Sequence, residues 1–198
     1  MIYQFSKRTI EYLTSLSGQS TNQDQLDVYI YGLECFINTA VPVTLLTILS
    51  LFTECLFETW LWLFVFSVLR EYTGGYHAST QFACMTSSTL LGIGNTFISQ
   101  YINFSSIFVT SCYLLCIIVV LILCPIPSSK KELDMLQRKR YKKRALEIVS
   151  SCLLLSLLLP NNYALTLMYS CLSCIFLVVI EMISRILSIK NSPLLDIQ

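Results

Sequence analysis

Runs of apolar residues of membrane-crossing length alternate along the chain with short polar interruptions. A helix crosses the hydrocarbon layer with roughly 20 apolar residues. Six runs approach that length: 26–52, 55–69, 80–99, 106–124, 145–160 and 163–186. The first carries Glu34 and Pro42 inside an otherwise apolar stretch, the second is short and aromatic with Trp60 and Trp62, and the third is less apolar and holds Gly92 and Gly94. The fourth runs uninterrupted from Ser106 to Cys124, the fifth is short and ends at Pro160, and the sixth runs from Tyr163 to Ile186. Residues 1–17 show a different period. On a wheel of about 100° per residue, Ile2, Tyr3, Phe5, Ile10, Tyr12, Leu13 and Leu16 share one half with Ser6 and Thr9, and Gln4, Lys7, Arg8, Glu11, Thr14 and Ser15 fill the other. Such a helix is suited to lie in the membrane interface. The pattern predicts an all-α, polytopic membrane protein of a single domain over 1–198, with about six transmembrane helices and an N-terminal interfacial amphipathic helix.

Composition agrees with the pattern. Of 198 residues 55% are hydrophobic and only 13% charged, and mean hydropathy is +0.66. A soluble domain carries about 25% charged residues, so too few polar groups remain to cover a water-exposed surface. The same deficit excludes a disordered chain and a basic nucleic-acid binder. Nine cysteines are many, yet the count is odd, most sit inside apolar runs, and no cleavable secretory signal is expected ahead of them. Free Cys packs as a small hydrophobe. Cys171-Leu-Ser-Cys174 has metal-ligand spacing but lies within a lipid-length run, so packing is expected there. No metal or cofactor is expected.

Charge orients the spans. Lys and Arg collect on the cytoplasmic side of membrane proteins. With the N-terminus inside, Lys7, Arg8, Arg70, the block from Lys130 to Arg144, Arg185 and Lys190 all fall on that side, which accounts for all 13 basic residues. This predicts a multi-pass membrane protein with both termini cytoplasmic. Segment 125–144 reads as a basic cytoplasmic loop, with Lys130, Lys131, Arg138, Lys139, Arg140, Lys142, Lys143 and Arg144 against Glu132 and Asp134. Such a block sets topology and touches anionic lipid. It also offers an electrostatic dock for an acidic partner.

Segment 70–84 stands apart, with the single His of the chain, a Gly pair at a polar interruption, and a Cys near the start of the third span. A Cys–His pair supports nucleophilic catalysis, in which His takes the thiol proton and the thiolate attacks a carbonyl. On one continuous helix, His77 and Cys84 would share a face yet stand about 10 Å apart along the axis, too far for proton transfer at roughly 3 Å. A working pair therefore requires the backbone to leave the helix near His77. Gly74-Gly75 supplies that freedom. Non-helical backbone at membrane depth needs shielding by protein or water, so the motif predicts a re-entrant or cytoplasm-facing pocket. An anchoring or hydrogen-bonded interfacial His is the bland alternative. Glu34 is an ionisable group inside a span, a functional candidate in its own right.

The run from Arg70 to Cys84, with Gly75-Tyr76-His77-Ala78 and Cys84, resembles the accessory gene regulator protein B (AgrB) family of bacterial membrane endopeptidases of quorum sensing. The resemblance extends over the whole chain, including the amphipathic N-terminal segment, the multiple spans and the Pro-Ile-Pro followed by a Lys/Arg-rich stretch after the fourth span. It implies a precursor signal peptide (AgrD-like) with an amphipathic leader, a central signal segment and an acidic C-terminal tail. By this analogy Cys84 attacks the bond at the end of the signal segment with His77 as base, the tail leaves, and a thioester remains. A Cys or Ser inside the signal segment then closes a thiolactone or lactone ring. Arg70, Gly75, Gln81 and Glu34 are candidates for oxyanion or substrate support, and the basic block for holding the acidic tail.

Two other readings stand beside this one: a small transporter or channel built on helix breaks, and a membrane Cys hydrolase that cleaves without cyclising. Membrane lipids are expected partners, a small six-span bundle suggests a homodimer, and no nucleic acid is expected.

Overall fold

The computed structural model describes residues 2–17, 22–75, 81–126 and 134–191. Among these residues the structure is helical, with α1 (Ile2–Ser17), α2 (Gln23–Phe52), α3 (Leu56–Thr73), α4 (Gln81–Tyr101), α5 (Ser106–Leu123), α6 (Met135–Leu158) and α7 (Asn161–Asn191). No strand occurs among them. α1 corresponds to the amphipathic segment, and α2 to α7 follow the six apolar runs in order. By length and composition α2, α5 and α7 are long and apolar enough to cross a membrane.

Several helix starts are written in the sequence. Asn22 caps α2 through a side chain that accepts from the Gln23 amide at 2.7 Å, and the Gln25 side chain answers in a reciprocal capping box. Ser105 accepts from the Phe108 amide at the start of α5. Each cap satisfies a backbone donor that the helix leaves open, a contribution of about 1 kcal/mol. Pro42 is buried within α2, as membrane helices tolerate where neighbours cover the freed carbonyl.

α6 departs from the sequence expectation. The segment 125–144 reads as a loop, but Asp134 caps a helix with Gln137 completing the box. Arg138, Lys139, Arg140, Lys142, Lys143 and Arg144 therefore stand on the first turns of α6. Arg and Lys are good helix formers, and Glu147 supports them at helical spacing, 3.2 Å from Arg144 and 3.9 Å from Lys143. Lys130 and Lys131 lie outside the described residues.

α7 is the central helix. About two-thirds of its apolar span is buried in the protein, against about a fifth for α2 and α5, and it packs on α3, α4, α5 and α6. The core includes Trp62, Leu69, Tyr113, Val149, Leu165 and Val178. Large apolar side chains such as Phe52, Phe64, Phe97, Ile107 and Ile122 point outward instead, as a lipid-facing surface requires. α1 packs on α2. Its buried contact is the small Ser6, while Phe5, Tyr12 and Leu16 remain exposed. The apolar half of the wheel is thus divided between a narrow strip on protein and flanks that face outward.

Contacts fix the register around α4. The Gln100 side chain donates to the Thr53 carbonyl, and Gly92 lies against the Leu46 side chain, so α2 and α4 run parallel. Cys55 lies beside Ser99 and Gln100, so α3 runs antiparallel to α4. The same end is tied by Asn162 donating to Glu58 at 2.7 Å and Asn161 donating to Asn103 at 2.7 Å.

Candidate active site

The opposite end of the bundle holds the segment singled out by its Gly pair. α3 stops at Thr73, whose hydroxyl donates back to the Leu69 carbonyl at 3.1 Å. The Gly74 amide closes the helix on Arg70 at 3.0 Å. The backbone then turns through positive φ at both glycines, +70° at Gly74 and +130° at Gly75. Conformation disfavours a side chain at both glycines, and packing excludes one at Gly74. A Cβ on Gly74 would stand 2.5 Å from the Ile126 carbonyl oxygen, and one on Gly75 would stand 3.4 Å from the α7 backbone at Leu177 and Val178. The Ile126 amide in turn donates to the Thr73 carbonyl at 3.0 Å. The corner is therefore clamped between the segment after α5 and the middle of the central helix.

His77 lies outside the described residues, as do the side chains of Gln81 and Cys84. The backbone of Cys84 belongs to the first turn of α4. Helix N-termini present open N–H groups and a partial positive charge, which favour a thiolate. Arg70 is in the last turn of α3, half-buried, with its guanidinium over the Phe66 ring at 5.8 Å from the centroid. Stepping equally along α3 and α4 from the Cys55–Ser99 contact brings Arg70 to the level of Cys84. Stepping back along α2 and α4 from the Leu46–Gly92 contact brings Glu34, also half-buried, to the level of the start of α4. Arg70, Glu34 and Gly75 are thus at one end of the bundle with Cys84.

The basic turns of α6 reach the same end. Tyr141, between Arg140 and Lys142, meets Tyr72 of α3 edge to face at 5.6 Å. Arg138, Lys139, Arg140, Lys143 and Arg144 are exposed. Among the described residues Glu147 is the acid paired with this face, through Lys143 and Arg144.

Most of the remaining described cysteines are buried, while Cys35 is exposed and Cys112 half-buried. Cys116, Cys124, Cys152, Cys171 and Cys174 are buried, and the Cys174 thiol donates to the Phe66 carbonyl at 3.4 Å. Among the described residues no three His, Cys, Asp or Glu side chains are grouped to hold a metal ion.

Sequence reasoning missed the clamp on the Gly pair. Ile126 and the Leu177–Val178 backbone are distant in sequence and carry no chemical signature. The Tyr72–Tyr141 contact was equally silent, although an aromatic within a basic run was a visible signal.

Comparison with known proteins decides the family. The family model described as accessory gene regulator B matches residues 6–187. The chain belongs to the accessory gene regulator B family. Two proteins of Clostridium perfringens are similar to it. "Putative AgrB-like protein 2" of strain 13 is 25% identical over 170 residues, covering 80% of this chain and 77% of its own. "Putative AgrB-like protein" of strain SM101 is 25% identical over 192 residues, covering 89% and 87%. No solved structure matches. Membership of the accessory gene regulator B family implies a membrane protein with a role in autoinducer processing, acting with an AgrD-type precursor peptide.

Proposed function

We propose that this member of the family is a membrane cysteine endopeptidase that cuts the C-terminal tail from an autoinducing-peptide precursor and promotes cyclisation of the remainder. The observation that carries the reading is the clamped Gly74–Gly75 corner, which ends α3 ahead of His77 and lets α4 restart just before Cys84. A continuous helix would hold that pair about 10 Å apart; with α3 ended at Thr73 and α4 begun at Gln81, His77 and Cys84 do not belong to one described helix.

Cys84 is the nucleophile. His77 takes its proton, the thiolate attacks the scissile carbonyl, and the tail departs after His77 returns the proton to the leaving amine. The tetrahedral oxyanion draws on backbone amides at the start of α4 or on the side chains of Arg70 or Gln81. The resulting thioester keeps much of its acyl activation, and an apolar surround limits its hydrolysis. A Cys or Ser of the signal segment held against it gains effective molarity, and several kcal/mol of the barrier can come from such positioning. Ring closure then regenerates the Cys84 thiol. The protein spans the membrane six times with both termini and this chemistry on the cytoplasmic side, where the basic turns of α6 draw in the acidic tail.

The test is processing of the co-expressed precursor, taken as a short product with an amphipathic leader, a central Cys or Ser and an acidic tail. Cys84→Ala and His77→Ala should each abolish tail release. Cys84→Ser should lose nearly all of it, because Ser at its ordinary pKa is a far weaker nucleophile under a lone His. The other eight cysteines should tolerate Ala or Ser singly. Near-normal processing by either Ala variant would overturn the assignment.

A further inference from the structure

At the end of the bundle far from the Gly74 corner, α5 and α7 begin and α6 ends around a cavity of about 220 Å³. Ser106 and Thr110 of α5, Ser156 and Leu157 of α6, and Asn161 and Ala164 of α7 line it. No Asp, Glu, Lys or Arg is among the described residues that do so. The wall is largely polar, but its surroundings are not. Ile107 and Leu158, next in the chain to Ser106 and Leu157, are 81% and 82% exposed, and α5 leaves most of its apolar span outside the protein interior. A polar cavity thus opens on a surface suited to lipid.

The hydrogen bonds already made decide what the wall still offers. Thr110 gives its hydroxyl proton to the Ser106 carbonyl at 2.9 Å, and Ser156 gives its own to the Leu153 carbonyl at 2.7 Å. Asn161 spends a donor on Asn103 at 2.7 Å. A hydroxyl has a single proton and two lone pairs, and a carboxamide oxygen has two lone pairs. What Thr110 and Ser156 keep is therefore acceptor capacity, to which the Asn161 Oδ1 adds. Pro160 has no N–H, so the Ser156 carbonyl lacks the donor that a continuing helix would supply. Backbone donors at the cavity are taken instead. The amides of Val109, Leu159 and Ala164 donate to the Ser105, Leu155 and Pro160 carbonyls. The cavity is richer in open acceptors than in open donors, without a formal charge.

We propose that this cavity binds the headgroup of a membrane lipid that donates hydrogen bonds. The shared chemistry is an N–H or O–H donor, supplied by the ammonium of phosphatidylethanolamine or by the glycerol hydroxyls of phosphatidylglycerol. The volume is below the roughly 300–1,000 Å³ of sites that enclose a drug-sized molecule. It takes a headgroup and leaves the acyl chains outside, along Ile107 and Leu158. A lipid seated there joins the start of α5, the end of α6 and the start of α7, and stabilises that arrangement by mass action. The site is separate from Cys84 and does not depend on the endopeptidase reading.

The test uses full-length protein in lauryldimethylamine oxide at mildly alkaline pH, where the detergent headgroup donates no hydrogen bond. Dioleoyl lipids that differ in headgroup alone are added, retained lipid is counted on the intact protein by native mass spectrometry, and the thermal midpoint is read alongside. Phosphatidylethanolamine or phosphatidylglycerol should be retained as a single copy and raise the midpoint. Phosphatidylcholine, with the same chains and phosphate but no N–H or O–H, should do neither. Preference between the first two tells an ammonium from a hydroxyl ligand, and retention of either one supports the site. Thr110→Val, which keeps the shape and removes the acceptor, should weaken retention about tenfold, the worth of one hydrogen bond to a charged donor. Ala164→Leu, which fills the cavity, should abolish it, and Thr110→Val decides the matter if that variant does not fold. Thr39→Val removes a similarly back-bonded, exposed hydroxyl on α2 and should change nothing. Equal retention of all three lipids, retention unchanged by Thr110→Val, or the same thermal protection by free ethanolamine or glycerol overturns the lipid site.

Discussion

At the scale of single residues, the two glycines carry the local geometry. Gly74 and Gly75 were conspicuous in the sequence as a pair at a polar break, and their freedom of backbone angle was readable there. Their second role was not readable, because it depends on Ile126 and on the α7 backbone closing over them. Gly74→Ala should therefore lose about 1–3 kcal/mol to strain and more to the clash with the Ile126 carbonyl. Gly32→Ala makes the control: Gly32 is in a helix, with nothing within 4 Å of an added Cβ, and Ala there should be neutral or stabilising by up to about 1 kcal/mol. Thermal unfolding of the two variants in detergent checks the contrast, and equal midpoints would mean that the corner is not clamped as described. His77 and Cys84 were legible by type alone, as the single His and a Cys seven positions on. The burial of Asn95 was not, since one Asn among Gly, Ser and Thr in the less apolar third run gives no signal of its surroundings.

At the scale of elements, the apolar runs mark the helices α2 to α7 in order, because each span must satisfy its backbone internally and be apolar where it meets lipid. The error fell on α6. Its apolar half was read as a short span and its basic half as a loop, since charged residues interrupt the apolar run without interrupting the helix. The cue was Asp134 followed three residues later by Gln137, a cap signature. This changes the expected action of the basic block, which now projects from a rigid helix joined to α3 through Tyr72 and Tyr141. Exposed charges interact weakly one by one and are screened within about 8–10 Å at physiological salt. Single Lys→Gln changes should do little. Neutralising Arg138, Lys139, Arg140, Lys142, Lys143 and Arg144 together should raise KM for an acidic-tailed precursor, with less effect on turnover, and should flatten the salt dependence of processing in neutral-lipid vesicles. Unchanged salt dependence in correctly inserted protein would reduce the block to a topology signal.

At the scale of the whole molecule, α3, α4, α5 and α6 pack on a central α7, and α2 and α5 leave most of their apolar spans outside the protein interior. The order of spans was legible because hydrophobicity is local; the centrality of α7 was not, because burial within protein and burial in lipid select the same residues. Asn103 and Asn161 bond to one another at the end far from the Gly74 corner, so both should sit on one side of the membrane. Single cysteines placed at either position, in a background without native thiols, should react with an impermeant reagent from outside. A cysteine at Ser128 or Ser129 should not, and reaction there would reverse the topology.

The central claim is that Cys84 carries the signal segment as a thioester until an internal nucleophile displaces it. The measurement that meets it most directly is the intact mass of the product released by purified protein in vesicles, supplied with the synthetic precursor. The account predicts free tail together with a signal segment one water lighter than the linear acid, both absent with Cys84→Ala. A linear acid as the sole product, or a ring formed equally by Cys84→Ala, would contradict it.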